Sequence, residues 1–246
     1  MSHRERAKAT VKVTLTDPDG KLLKVIEGEN PDPFGYGFLS VLHATIEGLP
    51  PTIAVGDVSG GIHIFNFATP SPSYPLGYLL PGFCLTNCPN AGSTPPNGPG
   101  IWLYRGVPST GDTYDWVFYV NGLIIPSAHI AGLSYSPLAV SRGTSSPSSP
   151  GDIVYYLINI TQSITNTLSS PVDVYTVMLI GAIYGTNLLS PVYVPITFYV
   201  FSPPIVFSPG VTMSVSVTLS FPFGIAIMRV PSPATGSSLG RYVLAV

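Results

Sequence analysis

From Val211 to Phe221 large apolar and small hydroxyl-bearing side chains alternate without interruption. Val211, Met213, Val215, Val217, Leu219 and Phe221 fall on one side, and Thr212, Ser214, Ser216, Thr218 and Ser220 on the other. Successive side chains of a strand point to opposite faces of its sheet, so this period predicts a strand with one face in a core and the other wet or covered by a partner. A Phe-Pro-Phe-Gly corner at 221–224 is expected to end it, and Gly224 to Val230 begins a further apolar run. Antiparallel sheet close to the C-terminal end is therefore the strongest local prediction.

Earlier segments supply more of the same. Val11 to Thr16 alternates, Asp17-Pro18-Asp19-Gly20 has turn chemistry, and Lys21 to Glu27 runs on, which together predict a hairpin. Beyond Asn30-Pro31-Asp32-Pro33, residues 36–48 place Phe38, Leu39, Leu42 and Ile46 at helical spacing and stop at Gly48 before Pro50-Pro51, so one short helix is expected there. Short strands are expected at Ile53 to Val55 and Ile62 to Ala68, followed by a long Pro-rich loop over 69–100. Strands at 101–105 and 114–120 lead to Asn121-Gly122, a hairpin signal. Residues 134–152 form a Ser/Pro/Gly connector between an N-terminal β-rich region, 1–133, and C-terminal strands, 153–246, although the two can pack as a single domain. In the second part, strands are expected at 153–161, 172–183, 192–201, 211–221, 224–230 and 241–246. The expected fold class is all-β, an antiparallel β-sandwich or jelly roll with one short helix near 36–48.

Composition sharpens this picture. A chain of 246 residues can bury a core without metal or disulfide support. Its 45% hydrophobic residues stand beside only 9% charged ones, against roughly 25% in ordinary soluble domains. Charges crowd the first segment (Arg4, Glu5, Arg6, Lys8, Lys12, Asp17, Asp19, Lys21, Lys24, Glu27, Glu29, Asp32) and thin out beyond Asp57. The remainder presents Ser, Thr, Tyr, Asn and Pro, as a subunit packed among copies of itself does, since interface cores are depleted of Lys, Glu and Asp. Met1 to Lys8 is charged and no apolar stretch follows, so no signal peptide is expected. No transmembrane segment is expected either: the run from Val174 is too short for a helix, and that from Val192 is broken by Pro195, Pro203 and Pro204.

Candidate chemistry is sparse. Cys84 and Cys88 are the disulfide candidates, with two free thiols as the alternative; without further Cys or His nearby, a zinc site is not expected. His3, His43, His63 and His129 form no ligand motif, and Ser59 lacks the spacing of a nucleophile elbow. Asp112 and Asp115 are better read as solvated residues than as a paired acid and base. No enzymatic activity, cofactor or metal is expected. Arg4, Arg6, Lys8 and Lys12 make a basic arm suited to contact a neighbouring subunit or phosphates, but Glu5 interrupts it, so nucleic acid is not the expected partner. The aromatics Tyr74, Tyr78, Trp102, Tyr104, Tyr114 and Trp116 suit core and subunit contacts, or stacking against a host-surface glycan. Asn159-Ile160-Thr161 is a glycosylation sequon inside an apolar strand and is discounted. A single glutamine, Gln162, with high Pro content points to a thermophilic source.

The order of elements in residues 11–65 resembles the start of phage and archaeal-virus tail, fibre and neck proteins. The pieces that carry it are the strand Val11 to Thr16, the turn Asp17 to Gly20, Glu27-Gly28-Glu29-Asn30, the Gly- and Leu-bearing stretch Gly37 to Gly48, and Ile53 to Gly61. The resemblance implies a structural subunit of a virion or appendage and carries no catalytic residues with it. A homo-oligomeric structural protein in a virion or extracellular assembly, whose partners are copies of itself and other structural subunits, is the expected function. A receptor- or carbohydrate-binding fibre or adhesin module is the alternative.

Overall fold

The computed structural model describes residues 7–30, 52–56, 62–66, 82–86, 98–106, 118–119, 130–146, 148, 152–184 and 192–225. All regular structure in them is antiparallel strand. The helix expected at 36–48 lies outside these residues, as do the expected strand at 241–246 and the Asn121-Gly122 turn.

The first sheet contains β1 (Lys8–Thr16), β2 (Leu22–Asn30), β8 (Ser134–Tyr135), β9 (Ala139–Thr144), β10 (Ile153–Thr165) and β13 (Thr212–Ile225). Its order is β2-β1-β13-β10-β8, and β9 lies beside β10 next to β8. β1 pairs with β13 from Lys8 opposite Ser220 to Thr16 opposite Thr212, so the sheet draws on both sides of the expected connector. The connector itself supplies β8 and β9.

The second sheet runs β5 (Gly82–Cys84), β11 (Val172–Tyr184), β12 (Val192–Phe207), β7 (Phe118–Tyr119), with β6 (Gly100–Tyr104) also on β11. β3 (Thr52–Gly56) and β4 (Ile62–Asn66) pair as a separate ribbon.

Two expected breaks are absorbed within strands. The Phe-Pro-Phe-Gly corner does not end β13: Val154 lies opposite Gly224 and Tyr155 opposite Pro222, which leaves Phe223 as the extra residue of a bulge. A bulge takes up a proline because the ladder is already interrupted there. Likewise β12 continues past 201 to Phe207. Val174 faces Ile205 and Thr176 faces Val200, so Pro203 and Pro204 fall in the excess residues between.

One hydrophobic cluster gathers side chains from both sheets. Val11, Val13, Leu15, Ile160, Ile164, Met213, Val215 and Val217 come from the first sheet, and Leu103, Val174, Val177, Leu179, Ile196 and Phe207 from the second. Each such side chain contributes roughly 1.5–3 kcal/mol on full burial. A smaller cluster, Trp102, Tyr104, Met178, Ile180, Ala182 and Tyr193, occupies the other face of the second sheet. Consecutive residues Thr176 to Ile180 are therefore all buried, the pattern of a strand covered on both faces.

Candidate functional site

The outer face of the first sheet is a field of hydroxyls. Register places Thr10, Lys12, Thr14 and Thr16 of β1 opposite Thr218, Ser216, Ser214 and Thr212 of β13. On the far side of β13, Asn159, Thr161, Ser163 and Thr165 of β10 stand opposite the same residues. Neighbours lie about 4.8 Å apart across strands, close enough for side chains to bond laterally. Thr165 Oγ1 is 2.9 Å from Thr212 Oγ1, Ser163 Oγ is 3.1 Å from Ser214 Oγ, and Thr218 Oγ1 donates to Asn159 Oδ1 at 2.8 Å. Thr161 Oγ1 donates to Ser216 Oγ at 3.5 Å, a longer contact. Hydroxyls that satisfy one another lose little when water is displaced, whereas unpaired ones would each cost about 1–3 kcal/mol.

At one side of this face the β1–β2 hairpin carries its own counter-ions. Lys8 Nζ lies 3.2 Å from Glu29 Oε2, and Lys12 Nζ pairs with Glu27. Asp17 Oδ1 accepts from the Asp19 and Lys21 N–H groups and so shapes the turn, and Gly20 adopts φ 80°, which a side chain would oppose. The inner side of β2 closes on β12: Asn30 Nδ2 donates to the Phe198 carbonyl at 2.8 Å. The Tyr199 ring lies over Gly28 so closely that a Cβ there would collide with it. Beyond this seam Leu22, Leu23 and Val25 are exposed.

Buried polar groups tie the sheets together. Gln162 accepts from the Ile101 N–H at 2.7 Å and donates to the Ser136 carbonyl at 2.9 Å, so one side chain links β10, β6 and the β8–β9 segment. Asn166 donates to the Phe207 carbonyl at 2.7 Å and accepts from the Leu168 N–H at 2.9 Å, which joins the turn after β10 to the end of β12. Burial raises the Tyr135 phenol, and burial together with nearby Tyr135 raises the Tyr104 phenol. Burial also pushes Tyr193 up to about 12. None of these groups is poised for proton transfer near neutrality.

Residues singled out from sequence are dispersed by the fold. Lys8 and Lys12 stand within β1, each facing a glutamate, while Arg4 and Arg6 lie outside the described residues. Trp102 and Tyr104 have no exposed surface; Trp102 donates from Nε1 to the Gly98 carbonyl at 3.2 Å and its ring sits 5.8 Å from that of Tyr193. Neither ring offers a face for sugar stacking. Tyr74, Tyr78, Tyr114, Trp116 and Cys88 lie outside the described residues, and Cys84 ends β5. Asn159, of the discounted sequon, sits on the hydroxyl face and not in the core. Among the described residues no cluster of His, Cys, Asp and Glu could hold a metal, and no helix is long and apolar enough to cross a membrane. The features that sequence reasoning missed are Gln162 as an inter-sheet brace and β9 as a strand; only the first left a signal, a polar residue at an apolar-parity position.

Compared with protein-family models, curated proteins and solved structures, the chain matches none.

Proposed function

We propose that the chain is a structural subunit of a virion or comparable extracellular assembly, built on a β-sandwich and joined to copies of itself through sheet edges and faces. The observation that carries this reading is the outer face of the first sheet, where hydroxyls partner one another across β10 and β13. Such a face is covered by a neighbour at little desolvation cost, and its exposed aliphatic residues, Leu22 and Val25, lie at its β2 edge. The scarcity of charge beyond the β1–β2 hairpin supports the same reading. The resemblance of residues 11–65 to tail, fibre and neck proteins favours a virus particle as that assembly.

The test is hydrodynamic. Purified full-length chain, followed by light scattering and sedimentation over a hundredfold range of concentration, is expected to associate into discrete oligomers or filaments. A species that stays monomeric at the highest concentration rejects the reading. The carbohydrate-binding alternative loses Trp102 and Tyr104, both enclosed in the fold.

A further inference from the structure

The edges of the two sheets are not equally guarded. An open edge presents unpaired N–H and C=O groups to any other strand, and proteins blunt such edges with proline, charge, bulges or a covering element. β12, bordered on its far side by the two-residue β7, carries Pro195, Pro203 and Pro204 and two irregularities in its register. β2 bears Lys24, Glu27 and Glu29, has a register shift opposite Leu15 and Thr16, and is pinned to β12 through Gly28 and Asn30. Among the described residues β9 has none of these devices except one arginine. Its sequence is Ala-Val-Ser-Arg-Gly-Thr, its register with β10 is unbroken, and all its residues are exposed.

Which groups β9 presents follows from its ladder. The Ser145 N–H donates to the Tyr155 carbonyl at 2.9 Å, which marks 145 and 155 as a hydrogen-bonded position. Hydrogen-bonded and non-bonded positions alternate along an antiparallel pair. Gly143, Ser141 and Ala139 therefore bond inward to Leu157, Asn159 and Thr161, and Val140, Arg142 and Thr144 turn their N–H and C=O groups outward.

We infer that β9 joins β9 of a second copy, antiparallel, across a two-fold axis at Ser141, so that two six-stranded sheets become one. The inference rests on the assembly reading above and names its contact. A two-fold normal to the sheet must set some residue opposite its own copy. Centring on Arg142 opposes two guanidinium groups, which is destabilising. Centring on Val140 carries the pairing out of the strand toward Pro137. Centring on Ser141 lays Ala139 against Gly143, and Val140 against Arg142, whose aliphatic stem covers the exposed valine. Val140 and Arg142 then exchange backbone hydrogen bonds on both sides of the axis. Val140, 43% exposed on the free subunit, gains a partner by this contact.

Ser141 then occupies a non-hydrogen-bonded position with its copy about 4.5 Å away between Cα atoms, within disulfide reach. In a background with Cys84→Ser and Cys88→Ser, Ser141→Cys is expected to give a covalent dimer rapidly under mild oxidation. Ala139→Cys, equally exposed but roughly 13 Å from its copy in this register, is expected not to. Arg142→Pro removes only an outward N–H, and should weaken dimerisation at least tenfold in sedimentation while leaving the circular dichroism and melting curve unchanged. If the parent chain associates but Ser141→Cys cross-links no faster than Ala139→Cys, or Arg142→Pro associates as the parent does, the β9 joint is overturned and the assembly reading survives. A parent chain that stays monomeric and a Ser141→Cys variant that stays uncoupled overturn both.

Discussion

The two sheets share one core but differ in what lies on their other sides. Behind the core face of the first sheet is a lattice of Ser, Thr and Asn side chains, half-buried and bonded to one another. Behind that of the second is another apolar cluster, in which Trp102, Tyr104 and Tyr193 are wholly enclosed. A strand with one wet face must alternate; a strand covered on both sides has no reason to. The period-two signal in β13 and its absence in β11 are thus two readings of how many faces each sheet buries.

The largest effects should come from charges placed by parity. Val215→Asp puts a carboxylate in the shared core, where Val215 has no exposure, and is expected to abolish folding. Ser216→Asp, one residue on, should change stability by less than about 1 kcal/mol, since it meets solvent and Lys12 on the neighbouring strand. In β11 the parity rule should fail: Met178→Asp and Leu179→Asp are both expected to give no folded protein, because both positions are fully buried. Soluble yield and urea denaturation of the four variants decide the matter. A folded Met178→Asp variant would break the contrast between the sheets.

A smaller effect is expected where the two sheets close on each other. Gly28→Ala drives a methyl into the Tyr199 ring, and overpacking of this kind costs about 1–3 kcal/mol. Tyr199→Ala alone should also destabilise, because Tyr199 packs against the shared core and stacks edge-on with Phe201 at 5.3 Å. The double variant should recover part of the sum, and additive losses in a double-mutant cycle would place the ring elsewhere. Gln162→Leu should cost a similar or lesser amount, about 1–3 kcal/mol, because it strands the Ile101 N–H and the Ser136 carbonyl. Chemical denaturation with an unchanged slope is the readout.

How much of this was legible in the chain depends on the same distinction. The hairpin β1–β2 and strands β10 and β13 declare themselves because each sets apolar residues against polar ones. Gln162 shares the parity of Ile160 and Ile164, so its inward orientation could be read, but not its reach to the second sheet at Ile101. Ile101-Trp102-Leu103-Tyr104 is apolar at every position, which conceals which rings face which cluster. β9 reads as connector in the sequence because an edge strand exposed throughout has no core to impose a period. Proline misled twice, at Pro222 and at Pro203-Pro204, since a bulge that forgives it depends on the partner strand.

Alkaline pH acts more gently and on both sheets, since Tyr135 of β8 is also a buried phenol held protonated. Tyr193 and Tyr104 belong to the second cluster, and their phenols are held protonated by burial. A folded-state pKa raised above the unfolded value of about 10 leaves stability intact below pH 10 and erodes it as pH climbs through the folded value. Loss should begin above about pH 10 at up to about 1.4 kcal/mol per pH unit for each such tyrosine. Tyr193→Phe should flatten that slope in melts collected across the range, whatever it does to stability at neutrality.

The smallest effect is expected at the charged hairpin, the part of the first sheet that departs from its hydroxyl pattern. Lys12 and Glu27 are both more than half exposed, and Lys8 and Glu29 nearly so. Water and salt screen pairs of this kind, so each contributes about 0.2–1 kcal/mol at most. A cycle of Lys12→Ala, Glu27→Ala and the double variant should therefore give a coupling of a few tenths of a kcal/mol in low salt, fading at 1 M. A coupling that is large and indifferent to salt would mean that this corner is shielded from solvent. In assembled protein, such a result would show a neighbour covering the hairpin; in the isolated chain, it would remove the distinction between the wet outer face of the first sheet and the enclosed one of the second.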